Sequence, residues 1–544
     1  MATETRAARL RVPSTPLARI AQLGWPTPAW GAIGVVALFV GVTCWWVSEN
    51  GSIPIFDAGL HLSLGINVYN ELAAGHFGTA LTLSAPYPPF AYLVGSLGIL
   101  LGGLSIPAMV ITENLVFVTL LALGCYKVGR LAFSPLAGLL AVVFALGSPL
   151  ISAQFHVFMT DAPETAMVAV SVWLIIASEG FSKLRVCALA GVACGLGMLT
   201  KEPFPIFVIG VVLVTAVRGG PRSWRGLALF GGIALALALP WYIAELATIK
   251  AIGGQATSST SAYGSGGGYS PSGIAPPRLS STNLEWYFWS MVNSLLLVPL
   301  FVLAAIGWLW LMHGFIRRRW VSRLAPELAI GSFVAWALLT ETFFHDTRYD
   351  MPLLIYPAVF AGGWIASLKG RWRVLGTAAL AAAVGATVLG VTFGVGSEQS
   401  VNLVRPDGAL EEPGTLTFYN KGFLVSAPER DGDLLGMLRA LRREGVHVLT
   451  WPPGEGAEPD FSNGGVTALA QVAELEPRAG SPYAALGAHF AVLAHAKIGP
   501  SEAPPCVELS DHSGVWVRIG NPVAPGARDY CPLPRPHYYG PKQA

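Results

Sequence analysis

Two acid-bearing stretches and two isolated cations are the places where this sequence could do chemistry. Ile55-Phe56-Asp57-Ala58-Gly59-Leu60-His61 opens a segment of helical character that runs through Glu71. On a helix, Asp57 and His61 are four residues apart and share a face, so they could meet a metal or orient one another. Asp57 could equally cap the helix, a role worth about 1 kcal/mol. The second stretch, Gln154-Phe155-His156-Val157-Phe158-Met159-Thr160-Asp161-Ala162-Pro163-Glu164, again puts two carboxylates, Asp161 and Glu164, on one helical face. Thr160 or Asp161 before Ala162-Pro163 also reads as a plain helix start. Lys201 stands in Leu199-Thr200-Lys201-Glu202-Pro203-Phe204, and Arg348 in His345-Asp346-Thr347-Arg348-Tyr349-Asp350-Met351-Pro352. Both suit an anion such as phosphate, for which Arg offers a fork of donors and Lys a point charge. Pairing of Lys201 with Glu202, and of Arg348 with Asp346 or Asp350, is the competing reading.

The elements that must position these residues follow from composition. Of 544 residues, 53% are apolar and 12% charged, and the mean hydropathy is +0.55. Many apolar runs approach the roughly 20 residues that a helix needs to cross a bilayer. This is the balance of a polytopic membrane protein and excludes an ordinary soluble enzyme. A net charge of +2 gives no electrostatic footprint for nucleic acid. The basic residues fall in short clusters between apolar runs: Lys127 with Arg130, Lys183 with Arg185, Arg218 with Arg222 and Arg225, Arg317 to Arg319 with Arg323, and Lys369 with Arg371 and Arg373. The positive-inside rule makes all five cytoplasmic, together with a basic segment over residues 1–27.

Successive cytoplasmic clusters must be separated by an even number of crossings. That condition predicts eleven spans, near 28–48, 106–126, 131–150, 163–179, 186–200, 203–218, 226–244, 287–312, 326–343, 351–368 and 374–395. The apolar stretch 86–104 cannot be a twelfth, because it would put Lys127 and Arg130 outside. It is expected to lie along or dip into the outer interface, beginning at its proline pair. The amino terminus is then cytoplasmic and the tail external. Asp57, Glu71, Asp161, Glu164, Glu202, Glu245, Glu285, Glu341, Asp346 and Asp350 all fall at the outer boundary or beyond it. Carboxylates gathered at one face from distant loops suggest a site; the alternative is a set of solvated loop charges. The Gly/Ser-rich stretch 253–273 reads as a flexible loop without the ending of a phosphate-binding loop.

From about residue 397 charges and prolines become frequent, so 28–396 reads as the membrane domain and 397–544 as an external α/β domain. GTLTFYN, GVHVLTW, HFAVLAHA, CVELS and GVWVRIG read as strands and DGDLLGMLRALRRE as an amphipathic helix. Cys506 and Cys531 in this region stand as a disulfide or as two separate thiols.

The order of an acid after the first span, a Tyr-Pro-Pro segment, Met-Thr-Asp-Ala-Pro, Leu-Thr-Lys and Arg-Tyr-x-x-Pro resembles the GT-C membrane glycosyltransferases over roughly residues 28–370. Within that class the chain looks most like the protein O-mannosyltransferase and aminoarabinose lipid A transferase branch. It departs at Ala58, where the family often has Glu, and at Pro86-Tyr87, where it commonly has Glu-Lys. The resemblance implies transfer of a sugar from a polyprenyl-phosphate donor, held in the membrane lipid, to a glycan, lipid or protein acceptor on the outer face of the cell membrane. Asp57 would match the first-loop acid that activates the acceptor and Asp161 the second-loop acid. Lys201, Arg348 and Tyr349 would lie near the donor phosphate. A base is needed for the acceptor hydroxyl and a cation or metal for the leaving phosphate, and a divalent ion (Mg, Mn or Ca) near His61, His156 or Glu164 would serve the second need. Direct displacement would invert the anomeric carbon. A transporter or flippase for a lipid-linked or anionic substrate is the competing class. It would show repeated halves and ionisable residues at the midplane, whereas no repeat is seen and the ionisable residues collect at one face, Glu113 in the second span being the exception.

Overall fold

The computed structural model describes residues 27–52, 54, 56–250, 287–288, 290–317, 321–340, 347–395, 400–402, 415–417, 428, 434–443, 447–450, 463–477, 490–495, 509–510, 515–520 and 537–538. The predicted loop 253–273 and both tail cysteines, Cys506 and Cys531, lie outside them. Most of the described chain is helical: α1 (Thr27–Glu49), α2 (Phe56–Ala73), α3 (Phe77–Thr82), α4 (Phe90–Gly102), α5 (Ile106–Ala132), α6 (Pro135–Leu146), α7 (Pro149–Gln154), α8 (Asp161–Ala177), α9 (Leu184–Met198), α10 (Phe204–Gly219), α11 (Trp224–Ala244), α12 (Leu297–Ile316), α13 (Ala325–Leu339), α14 (Ile355–Ser367) and α15 (Arg371–Phe393).

A helix occupies each of the eleven stretches expected to cross. Among the described residues five are long and apolar enough to span a bilayer by length and composition: Thr27–Glu49, Ile106–Ala132, Phe204–Ala244, Leu297–Ile316 and Arg371–Phe393. The third of these breaks into α10 and α11, because Gly220 at φ 60° reverses the chain. That turn carries the Arg218, Arg222 and Arg225 cluster. Arg218 donates to the Arg323 carbonyl at 2.7 Å and pairs with Glu327, so two of the five basic clusters meet at one end of the bundle.

The stretch 86–104 forms α4, 13 residues long. At about 1.5 Å per residue it covers roughly 20 Å, short of the ~30 Å hydrocarbon core. It packs between α2 and α5, with Leu97, Leu100 and Leu101 exposed along one side.

Helix α8 is the centre of the bundle. Every residue from Asp161 to Val172 is buried, so no face of its first three turns meets lipid or water. Neighbouring helices can close on it because small residues line the crossings. A Cβ at Gly124 of α5 would sit 2.5 Å from the Ala169 carbonyl carbon of α8. The neighbouring starts are chemically marked: the Ser105 and Ser134 hydroxyls accept from the N–H of Ala108 and Ala137 at 3.3 and 3.2 Å, each with proline in the first turn.

Beyond α15 the described segments form strands where the sequence predicts them: Thr415–Thr417, Val448–Thr450, Phe490–His495, Leu509–Ser510 and Val515–Gly520. The last four belong to one mixed six-stranded sheet, completed by Glu476–Pro477 and His537–Tyr538. The helix Leu434–Arg443 is the predicted amphipathic one; Asn463–Val472 is a second. This second helix lies on α2, where Ala468 and Val472 join Leu62 and Ile66 in one apolar cluster and Gln471 Nε2 donates to Asn67 Oδ1 at 2.7 Å.

The Gly124 contact gives a prediction. Gly124→Val should force α5 and α8 apart, an overpacking cost of about 1–3 kcal/mol, and lower the melting temperature of the detergent-solubilised protein. Gly385→Ala, with nothing within 4 Å of its Cβ, should not lower it.

Candidate active site

Four segments distant in sequence meet at the ends of α2, α8 and α9. Asp57 stands in the first turn of α2, and Asp161 is the first residue of α8. Lys201 lies in the turn between α9 and α10. Arg348 and Tyr349 start a 3₁₀ helix, Thr347–Leu354. This segment is well anchored, since Asp350 to Leu354 are all buried.

Acids and cations pair across these segments. Arg348 Nη2 donates to Asp57 Oδ2 at 2.8 Å. The Lys201 ammonium donates to Asp161 Oδ1 and sits over the Tyr349 ring, 4.6 Å from its centroid. The capping alternative for Asp161 does not hold, because its carboxylate is taken by Lys201; the residue before it, Thr160, makes no side-chain cap. Lys201 pairs with Asp161 and not with its neighbour Glu202. Burial alone would favour the neutral amine, but Asp161 and Glu164 outweigh it and hold the Lys201 ammonium above its ordinary pKa. Burial also raises the Glu202 carboxyl.

His61 lies one turn beyond Asp57 and is buried. Its Nδ1 is 2.5 Å from the Tyr92 hydroxyl, and its ring meets that of Tyr87 edge-on, with centroids 4.8 Å apart. Burial drives the imidazole down to about 4, against the opposing pull of Asp57 and Asp161. It is therefore neutral near pH 7. Burial, reinforced by Asp57, raises the Tyr87 phenol, which stays protonated as a donor.

The three residues considered for a metal do not come together. Among the described residues no group of three His, Cys, Asp or Glu side chains could hold a metal ion. His61 is engaged by Tyr92, while His156 stacks flat on Trp46, with centroids 4.2 Å apart and planes 5° apart. Glu164 is buried one turn into α8, where its charge acts on Lys201. The i, i+4 and i, i+3 spacings are real, but packing directs the rings to aromatic partners.

Tyr87 and Tyr92 belong to the site and were not singled out as chemical residues in the sequence. The sequence marks Tyr87 within its Tyr-Pro-Pro segment and at the Pro86-Tyr87 departure, without giving it a role. That segment is tied to the lysine turn by Phe90 N–H donating to the Leu199 carbonyl at 2.8 Å. The segment 155–160 that leads to Asp161 is held from several sides: Asn114 Nδ2 donates to the Phe155 carbonyl at 2.8 Å, and Phe158 is fully buried against Tyr92.

Known proteins share part of this sequence and its fold. Residues 86–243 match the family described as dolichyl-phosphate-mannose-protein mannosyltransferase. The crystal structure of ArnT from Cupriavidus metallidurans bound to undecaprenyl phosphate superposes with a TM-score of 0.59 at 16% identity, over 91% of this chain and 99% of that one. The chain shares the fold of that protein. The apo ArnT structure gives 0.54 at 16% identity, over 90% and 98% of the two chains. Undecaprenyl phosphate-alpha-4-amino-4-deoxy-L-arabinose arabinosyl transferase of Pseudomonas paraeruginosa is 25% identical over 208 residues, 35% of this chain. The match spans about a third of that relative's length, 32%. The matched family region holds Tyr87, Asp161, Glu164 and Lys201, whereas Asp57, His61, Arg348 and Tyr349 lie outside it.

Two predictions follow from the buried groups. Lys201→Ala leaves the Asp161 carboxylate buried without its closest cation, at a cost of about 3–5 kcal/mol. Thermal denaturation should show that loss, and Lys201→Met combined with Asp161→Leu should recover much of it. For His156, burial lowers the folded pKa to about 3 from 6.5. Between these values the unfolded chain binds one more proton at this residue, so stability should fall as pH falls below 6.5. His156→Phe, which keeps a ring on Trp46, should show a shallower fall in melting temperature between pH 6.5 and 4.5.

Proposed function

We propose that the chain transfers a glycosyl group from a polyprenyl-phosphate donor to an acceptor hydroxyl at the non-cytoplasmic face of the cell membrane. The observation that carries this reading is the convergence of two carboxylates and two cations, Asp57, Asp161, Lys201 and Arg348, from four separate segments. A base beside cations is what displacement of a lipid phosphate by a hydroxyl requires. The names of the similar proteins support the donor class, since two join dolichyl or undecaprenyl phosphate to a sugar and the ArnT structure holds undecaprenyl phosphate.

In this reading the acceptor oxygen attacks the anomeric carbon, a new C–O bond forms there, and the bond from that carbon to the phosphate oxygen breaks. Asp57, the more exposed of the two acids, takes the acceptor proton. Arg348 and Lys201 stabilise the charge left on the phosphate, and Asp161 holds the Lys201 ammonium in place. A single displacement inverts the anomeric carbon. A bound divalent ion would add charge stabilisation at the leaving phosphate, but His61, His156 and Glu164 do not fit as its ligand set, and no step here depends on one.

The acceptor is a glycan, lipid or protein hydroxyl. A site at the outer boundary keeps the donor's prenyl chain in lipid while its sugar reaches water. The amino terminus is then cytoplasmic, and the sheet-bearing region from about 397 lies outside, where its helix Asn463–Val472 rests on α2.

Purified protein incubated with a panel of polyprenyl-phosphate sugars and candidate acceptors tests the reading. Asp57→Asn should lower turnover by about 10²- to 10⁴-fold, the range for loss of a general base. Equal turnover by the two proteins would remove Asp57 from the mechanism.

A further inference from the structure

The two ion pairs of the site differ in how firmly they are made. The Lys201 and Asp161 side chains are 9% and 2% exposed, and the ammonium is also held over the Tyr349 ring. Separating that pair would strand a buried charge. The Arg348 and Asp57 side chains are 23% and 41% exposed. Water reaches both, so this pair is weak and its partners can exchange cheaply. Arg348 is the second residue of its 3₁₀ helix, ahead of the buried residues Asp350 to Leu354.

The pairing has a consequence for the reaction. While Arg348 donates to Asp57 Oδ2 at 2.8 Å, that oxygen is occupied and does not face an acceptor hydroxyl. A phosphate competes for the same guanidinium, and its oxygens match the fork of donors as a carboxylate does. We propose that Arg348 changes partners when the donor binds, leaving Asp57 for the donor phosphate and so freeing the carboxylate to take the acceptor proton. Lys201, fixed on Asp161, does not exchange. The order of binding follows: the lipid-linked donor enters first, and the acceptor hydroxyl is activated only afterwards. This inference rests on the donor class proposed above.

Binding of undecaprenyl phosphate to the full-length protein in nanodiscs, with uncharged undecaprenol as control, tests it. If Asp57 competes with the phosphate for Arg348, Asp57→Asn should bind undecaprenyl phosphate about two- to fivefold more tightly than wild type, the range expected for a partly exposed pair. Arg348→Gln should bind it more weakly. The double variant should bind like Arg348→Gln, because without the guanidinium Asp57 has nothing to withhold. Equal or weaker binding by Asp57→Asn would overturn the exchange. So would a gain that persists in the Arg348→Gln background, since that would mark a general field of the carboxylate and not a shared partner. A wild-type protein that binds undecaprenyl phosphate no better than undecaprenol would overturn the donor class itself, and the exchange with it. Both positions are partly exposed, so the variants should fold; melting temperatures measured without lipid check this for each.

Discussion

A lysine ammonium that is almost wholly buried among membrane helices can persist only beside a carboxylate. The Lys201 and Asp161 pair is that constraint, and the surrounding architecture serves it. Asp161 must sit at the first residue of α8, a helix whose first three turns are buried on every side, and Lys201 must arrive from the turn between α9 and α10. The Tyr349 ring must cover the ammonium from a third direction. Each requirement ties together parts of the chain that are far apart in sequence, and together they bring Arg348 within reach of Asp57.

Holding these groups in place is mostly the work of uncharged contacts. The loop that ends at Asp161 is fastened by Trp46 stacked on His156, by Asn114 on the Phe155 carbonyl and by Phe158 against Tyr92. The proline-bearing segment is tied to the lysine turn by one backbone hydrogen bond, from Phe90 to Leu199. Helix α2, which carries Asp57 and His61, is gripped on its far side by the helix Asn463–Val472. Loop residues that face charge are thus set by elements that are packed, which is how a site on loops can be rigid.

The two ion pairs also divide labour by exposure. Near hydrocarbon a charge pair is strong because water is absent, and for the same reason it is slow to rearrange. At the wet edge the same chemistry gives a weak contact that a ligand can replace. One site contains both, a fixed pair under the tyrosine and an exchangeable pair beside it. His61 stays neutral next to the second because burial outweighs the nearby carboxylates.

Much of this was determined by the chain's own pattern. Apolar runs separated by basic clusters specified a helix in each of the eleven places where one is found, because a helix is the form in which a run of apolar residues can satisfy its backbone in lipid. The same charge alternation kept 86–104 from being counted as a crossing; the helix found there, α4, has 13 residues, about the length of α6 and α14. Asp57, Asp161, Lys201 and Arg348 were legible as odd charges at one boundary. Their pairing was not. Local spacing also allowed Lys201 with Glu202 and Arg348 with Asp346 or Asp350, and it suggested metal ligands in His61, His156 and Glu164. Only the packed bundle decided that Lys201 reaches Asp161, that Arg348 reaches Asp57, and that Tyr92 and Trp46 occupy the two histidines. Hydropathy along a chain reports which solvent each segment meets, whereas partners across 40 or 291 residues depend on how helices cross, and side-chain spacing carries no record of that.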